Sequence, residues 1–341
     1  MTQATFRAIG QTEFGGPEVL KVVELPRPTT TGRDLLVRMR AVGVNPVDPK
    51  ARENWNGYGK FQNQDIVVTG WDGAGVVEEV GPEADGRFKV GDEVYFCGNL
   101  TRRGCNAELA LVDSRIVGHK PRSLSFAAAA ALPLTTLTAW ECLVEGCALP
   151  PEPRAGTALV VGGAGGVGSI GIQILKSLMH LKVVATASRP ESAEHCKRMG
   201  ADAVIDHNKD LKEQLAALGI AGVNVVLNTF DPNDNYPALA AVLAPLGKIC
   251  CMLPMSKPVD LSGLFAIRGS LIFELVFSRV LFGVEVERQG AILDRVASLV
   301  DEGRLATTLV TELPWTVAGV VEAHRLSDSG RTIGKTVLVM P

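Results

Sequence analysis

The chain has 341 residues, 46% of them hydrophobic and 21% charged, with a formal net charge of −3. That length suits about two domains and the balance is ordinary for a globular protein, while the small net charge argues against a nucleic-acid or anionic-membrane surface. No apolar run reaches the roughly 18 residues needed to span a bilayer, and the opening MTQATFRAIGQTEFGGPEVL lacks the basic start and apolar core of a secretory signal, so the cytoplasm is the expected compartment.

Residues 1 to about 126 read as β-rich. Leu35 to Val42 alternates apolar and polar residues over most of its length, like a half-buried strand. Ile66 to Thr69, Gly75 to Val80 and Val90 to Val94 read as further short strands, broken by glycines and prolines as a partly closed barrel requires. Ser123 to Glu145 changes to high helix propensity, interrupted by Pro133, and reads as a helical hinge. From Thr157 strands and helices alternate. Strands are expected at Val183 to Thr186, Ala203 to Asp206, Val223 to Thr229 and Lys248 to Met252. Helices are expected at Glu191 to Met199, Asp210 to Leu218 and Tyr236 to Leu243. This rhythm predicts a doubly wound parallel sheet, with Ser270 to Phe277 as a candidate last strand. The tail adds a helix, Gln289 to Glu302, and two strands, Thr308 to Leu313 and Thr336 to Met340, and is expected to return to the first domain. The seven scattered cysteines contain no C-x-x-C and are expected to be free thiols.

The centre of the chain is Thr157 to Lys176, TALVVGGAGGVGSIGIQILK. An apolar strand ends in glycines, and then Val167, Ile170, Ile174 and Leu175 recur at helical spacing. Gly163, Gly165 and Gly168 form G-x-G-x-x-G, the pattern that lets a pyrophosphate approach backbone N–H groups at a helix N-terminus; Gly166 and Val167 belong to the same cradle. The next strand runs into Ala187-Ser188-Arg189 with no acidic residue at its end. Ser188 as a hydrogen-bond donor and Arg189 as a bidentate partner suit a 2′-phosphate, so the cofactor predicted is NADP(H), with a solvated surface charge as the other reading of Arg189.

FGGPEVL (Phe14 to Leu20), VGVNPVD (Val42 to Asp48), GWDGAGVVEEVG (Gly70 to Gly81), VGDEVY (Val90 to Tyr95), AALPLTTLTAWE (Ala130 to Glu141), GGAGGVG (Gly162 to Gly168) and SGRTIGKTVL (Ser329 to Leu338) follow one another nearly end to end. With them the chain resembles the medium-chain dehydrogenase/reductase family, in its zinc-type alcohol dehydrogenase-like and quinone oxidoreductase branch. The resemblance implies an α/β protein: a GroES-like β-barrel catalytic domain from residues 1–126 and 284–341, and a Rossmann domain from 127–283, with a cleft joining them. It also implies a homodimer paired through the sheet edge at Ser270 to Phe277.

Zinc-dependent members hold their metal at positions that match Asn45, Trp71 and Leu134, none of them a plausible ligand, and the four-cysteine lobe is missing, with only Cys97 and Cys105 between Tyr95 and Glu108. The expectation is an enzyme with no metal. Without a Lewis acid to hold an alkoxide, hydride delivery to an electron-poor quinone, enone or alkenal is the easier task. Asn45 matches a family position near the nicotinamide ribose and the substrate carbonyl and is a candidate donor, or else a structural turn residue. Lys50 stands where related quinone reductases often carry Tyr, and Tyr58 is the other candidate proton donor. Asp48 reads as structural, and Trp71 as cleft floor or aromatic wall. By the same resemblance Thr138, Asn228, Thr229, Cys251, Met252 and Lys335 are candidate cofactor neighbours. Two other readings stay open: an NADP-dependent alcohol dehydrogenase with an unrecognised metal site, and a non-catalytic NADPH-binding protein.

Overall fold

The computed structural model describes residues 4–84, 86–152 and 154–341, and it divides into two compact units. One comprises residues 1–134, 277–303 and 307–341, and the other 135–276 and 304–306.

The first unit is built on β1 (Thr5–Gly10), β2 (Lys21–Pro26), β3 (Asp34–Val44), β4 (Asp72–Val80), β5 (Glu93–Cys97), β6 (Leu109–Asp113) and β7 (Val117–His119), with a short helix α1 (Val47–Arg52) after β3. β1 and β2 form an antiparallel hairpin. β3 is the spine: it pairs antiparallel with β4 and β6, and two register shifts against β4 bend the sheet toward a barrel. The expected strand at Ile66 to Thr69 is instead extended chain with a single bridge from Val67 to Gln11. Val90 lies in an exposed turn, and the strand begins three residues later.

Ser125 caps the helix α2 (Phe126–Ala130), its hydroxyl accepting from Ala128 N at 3.2 Å. α3 (Pro133–Trp140) restarts at Pro133, because a ring that removes one N–H is tolerated only in a first turn. The whole stretch Phe126–Gly146 is 21 residues, long and apolar enough by length and composition to cross a bilayer. This corrects the expectation that no stretch reaches that length, yet 89% of its most apolar window is buried inside the protein.

The second unit carries β8 (Thr157–Val161), α4 (Gly166–Gln173), β9 (Lys182–Thr186), α5 (Pro190–Arg198), β10 (Ala203–Ile205), α6 (Leu211–Ala217), β11 (Val223–Asn228), α7 (Pro232–Ala241), β12 (Leu243–Cys251), α8 (Ser262–Ala266) and β13 (Ser270–Phe273). Its six strands are all parallel, in the order β10-β9-β8-β11-β12-β13. This is the doubly wound arrangement, with the switch point between β8 and β11. Leu159, Val184, Val226, Leu239 and Ile249 pack its core. β13 is an edge strand and stops at Phe273, four residues short of the sequence expectation.

The tail adds α9 (Ser278–Phe282), α10 (Glu287–Asp301), β14 (Leu309–Pro314), α11 (Val317–Asp328) and β15 (Lys335–Val339) to the first unit. β15 pairs antiparallel with β3, and the Tyr95 hydroxyl donates to the Leu293 carbonyl of α10 at 2.7 Å. All seven cysteines are buried and free.

Candidate functional site

In the first unit, four polar side chains meet at the end of β3. Asn45 follows the strand, Asp48 begins α1, Asp72 begins β4 and Lys335 begins β15; all four are buried. The Lys335 ammonium donates to Asn45 Oδ1 at 2.5 Å, to the Val44 carbonyl at 2.8 Å and to Asp72 Oδ2 at 3.0 Å. Asn45 Nδ2 donates to Asp72 Oδ2 at 2.8 Å, and Leu134 N donates to Asp72 Oδ1 at 2.6 Å. Asp48 accepts from Asn45 N at 2.6 Å and from Gly70 N at 2.8 Å. Every side-chain oxygen and nitrogen of these four residues has a hydrogen-bond partner, as burial demands. The second Nδ2 hydrogen of Asn45 has no protein acceptor among the described residues.

Burial pushes the Asp48 carboxyl up to about 7, against the pull of its two backbone donors and of Lys335. A folded-state value above the ordinary 3.8 means that the folded chain holds this proton more tightly than the unfolded one. The contribution of Asp48 to stability is therefore complete at low pH and falls as pH rises across that window. The stability advantage of the wild type over Asp48→Ala, measured by urea unfolding, should be smaller at pH 8 than at pH 5. An advantage that stays level or grows with pH would contradict this.

Lys50 lies half-exposed on α1. Tyr58 lies in a 3-10 segment, Trp55–Gln62, half-buried, its ring centroid 5.9 Å from that of Phe61; burial pushes its hydroxyl pKa up. Trp71 is buried, donates from Nε1 to the Asn99 carbonyl at 3.1 Å and meets Phe277 edge-on.

The residues at the three metal positions do not fit zinc. The Asn45 carboxamide is held by Lys335 and Asp72, Trp71 is held by Asn99, and Leu134 has no donor atom in its side chain. The Lys335 ammonium already brings a positive charge to Asn45 and Asp72. Among the described residues no three His, Cys, Asp or Glu side chains converge as metal ligands.

In the second unit the glycines divide their work differently from the G-x-G-x-x-G assignment. The left-handed turn is at Gly162, with φ +71°, one residue before the motif. A Cβ on Gly163 would lie 2.8 Å from Ala185 Cβ and 3.0 Å from Cys196 Sγ, so this glycine serves packing. A Cβ on Gly168 would run into the Gly162 carbonyl and the Gly163 backbone, which is the close helix–strand contact. Gly165, Gly166 and Val167 remain partly exposed, and Gly165 has nothing nearer than 3.5 Å to its added Cβ. Gly166 and Val167 carry first-turn N–H groups of α4, which have no intrahelical acceptor, whereas Gly165 N donates to the Gly162 carbonyl at 3.1 Å.

Thr186 ends β9 and is spent on the turn, its hydroxyl accepting from Gly162 N at 3.0 Å. Ser188 beyond it is exposed. Arg189 stands at the N-cap of α5, its side chain 26% exposed and paired to Glu191 at 3.2 Å. Asn228 is committed inward: it exchanges amide hydrogen bonds with Asn235 at 3.0 and 2.9 Å and accepts from Phe230 N. Thr229 is half-exposed and donates to the Val161 carbonyl at 2.8 Å, Cys251 is buried, Met252 is partly exposed and Thr138 is buried on α3.

Asp72, Asn235 and Glu191 were not singled out from the sequence. Only Asp72 left a signal there: a carboxylate flanked by Trp71 and glycines at the start of a buried strand has to be paired.

Family models match twice, an alcohol dehydrogenase GroES-like domain over residues 31–133 and a zinc-binding dehydrogenase over residues 199–338. A zinc-type alcohol dehydrogenase-like protein of Staphylococcus aureus is 33% identical over 326 residues, 94% of this chain and 95% of that one. The NADPH-dependent alkenal/one oxidoreductase of Arabidopsis thaliana chloroplasts is 29% identical over 96% of this chain and 77% of its own. Among solved structures, a Rhizobium etli protein assigned to the zinc-dependent alcohol dehydrogenases is 41% identical, with a TM-score of 0.92 and 99% of both chains covered. The quinone oxidoreductase of Coxiella burnetii is 25% identical, with a TM-score of 0.82 over 99% of this chain and 100% of its own. The chain belongs to the medium-chain dehydrogenase/reductase superfamily, in its zinc-type alcohol dehydrogenase-like branch, and is an oxidoreductase.

Proposed function

We propose that this oxidoreductase transfers hydride from NADPH to a quinone, enone or related activated carbonyl without a metal ion. The observation that carries the reading is the buried knot of Lys335, Asn45 and Asp72, where an ammonium holds Asn45, one of the three residues at positions that carry zinc ligands in zinc-dependent relatives. The Arabidopsis and Coxiella relatives, one an alkenal/one oxidoreductase and one a quinone oxidoreductase, support the acceptor class.

The nicotinamide supplies the hydride when bound. Gly166 and Val167 would hold its pyrophosphate through backbone N–H groups, with Gly165 leaving room for its approach, and Ser188 and Arg189 would hold the 2′-phosphate. Lys335 fixes the Asn45 carboxamide, whose uncommitted N–H is a preorganised donor for a ribose hydroxyl or for negative charge developing on an acceptor oxygen. Lys50 and Tyr58 are the candidate proton donors, and Thr138, Asn228, Thr229, Cys251 and Met252 the remaining candidate cofactor neighbours. The parallel edge of β13, with Phe273 exposed beside it, is the surface on which a homodimer would pair.

Purified enzyme should oxidise NADPH with quinones and enones at rates that a chelator leaves unchanged, and should not oxidise simple alcohols with NADP. Loss of turnover on chelation, or dominant alcohol oxidation, would refute the reading. Arg189→Ala should weaken NADPH binding about tenfold to a hundredfold and leave NADH nearly unaffected, as expected for the loss of a charge-assisted phosphate contact. An equal loss for both cofactors would remove Arg189 from the 2′-phosphate.

A further inference from the structure

The first unit contains a cavity that the hydride-transfer reading does not use. Its volume is about 130 Å³. An apolar cavity of about 150 Å³ takes up one benzene ring, so this one is ring-sized. Its lining includes the apolar side chains of Trp71, Phe96, Val112 and Ile116. Arg102, Arg103, Arg115 and the carboxylate residue Asp113 also line it.

These guanidinium groups are only partly engaged. Arg102 donates from Nη1 to Asp34 at 2.7 Å. Arg115 donates from Nε and Nη2 to Asp113. Arg103 makes one long bond, from Nε to the Ile66 carbonyl at 3.4 Å, and its side chain is exposed. Each guanidinium has five N–H donors, and the rest have no acceptor among the described residues. Arg102 and Arg115 are paired to Asp34 and Asp113, whereas Arg103 has no carboxylate within ion-pair distance among the described residues. A ring-sized cavity with aromatic as well as polar lining, and with one guanidinium that lacks a carboxylate partner, fits a monoanion with an apolar body.

We propose that this cavity binds a small apolar carboxylate, with the ring or short chain against Trp71 and Phe96 and the carboxylate on the arginines. Guanidinium meets carboxylate in a planar two-point contact, which favours this head group over a neutral amide of equal shape. The site is distinct from the polar knot although it adjoins it in sequence. Asp72 faces Lys335 and Asn45, whereas its neighbour Trp71 lines the cavity, as consecutive residues entering a strand point to opposite sides.

Calorimetric titration of the full chain with benzoate, and with benzamide as its neutral counterpart, tests the proposal. Benzoate should bind once per chain, and benzamide at least about tenfold more weakly. Arg103→Gln, a surface change that spares the fold, should weaken benzoate about tenfold. Ala110→Leu fills the cavity from β6 and should abolish binding. If Ala110→Leu does not fold, Arg103→Gln and the amide comparison still decide. The proposal is overturned if benzoate shows no saturation below about 20 mM. It is equally overturned if benzamide binds as well as benzoate, or if Arg103→Gln binds benzoate like the wild type.

Discussion

Valine at Gly165 should leave the fold intact and remove dinucleotide binding, raising the Kd for NADPH by about a hundredfold or more. Gly165 has φ −73° and ψ 173°, extended backbone that any residue adopts, and an added Cβ meets nothing nearer than 3.5 Å. The protein does not need this glycine for its own packing. A pyrophosphate approaching the N–H groups of α4 does need it, because a branched side chain would stand where the phosphate oxygens pass. Gly168→Ala separates the two roles. Its Cβ would lie 2.7 Å from Gly163 Cα, so overpacking should lower stability by about 1–3 kcal/mol. Thermal unfolding and NADPH titration on both variants check the contrast. A Gly165→Val variant that binds NADPH normally would sink the cradle assignment.

Lys335→Met should destabilise the first unit by about 3–5 kcal/mol, the usual penalty for removing one partner of a buried ion pair. The ammonium has three acceptors and is 3% exposed, while Asp72 is fully buried. Without Lys335 the Asp72 carboxylate keeps only the Asn45 amide and Leu134 N–H as donors. The double variant Lys335→Met/Asp72→Asn removes the stranded charge and should recover much of the loss. Urea unfolding of the single and double variants measures the coupling. A single variant within about 1 kcal/mol of the wild type would show that the pair is not worth what its burial implies.

The two results bear on different kinds of information in the chain. Strand β8, the glycine turn and α4 lie within about twenty consecutive residues, and their apolar run, glycines and helical spacing are all local signals. The other Rossmann strands were legible for the same reason. Strands buried on both faces read as short apolar runs. Apolar spacing alone misplaces a helix whose start is set by its cap. α7 starts at Pro232 behind an Asp231 cap whose carboxylate accepts from Asn233 N at 2.8 Å, a cap-and-proline start that the Tyr236 to Leu243 reading passed over. α11 likewise has its Thr316 cap written in the sequence. The hairpin of β1 and β2 had little to show: of Lys21–Pro26 only Leu25 is buried, so no alternation marks the strand.

The sequence by itself determined the parallel sheet, the glycine turn into α4 and the residue types at Asn45, Trp71 and Leu134, because each of these is written within a short segment. Only the tertiary structure decided that Lys335 meets Asp72 across 263 residues, that the turn falls at Gly162, and that Asn228 turns inward to Asn235. Partners so distant are chosen by which strands pair and which side chains are buried together, and a buried charge takes whichever opposite charge the fold delivers.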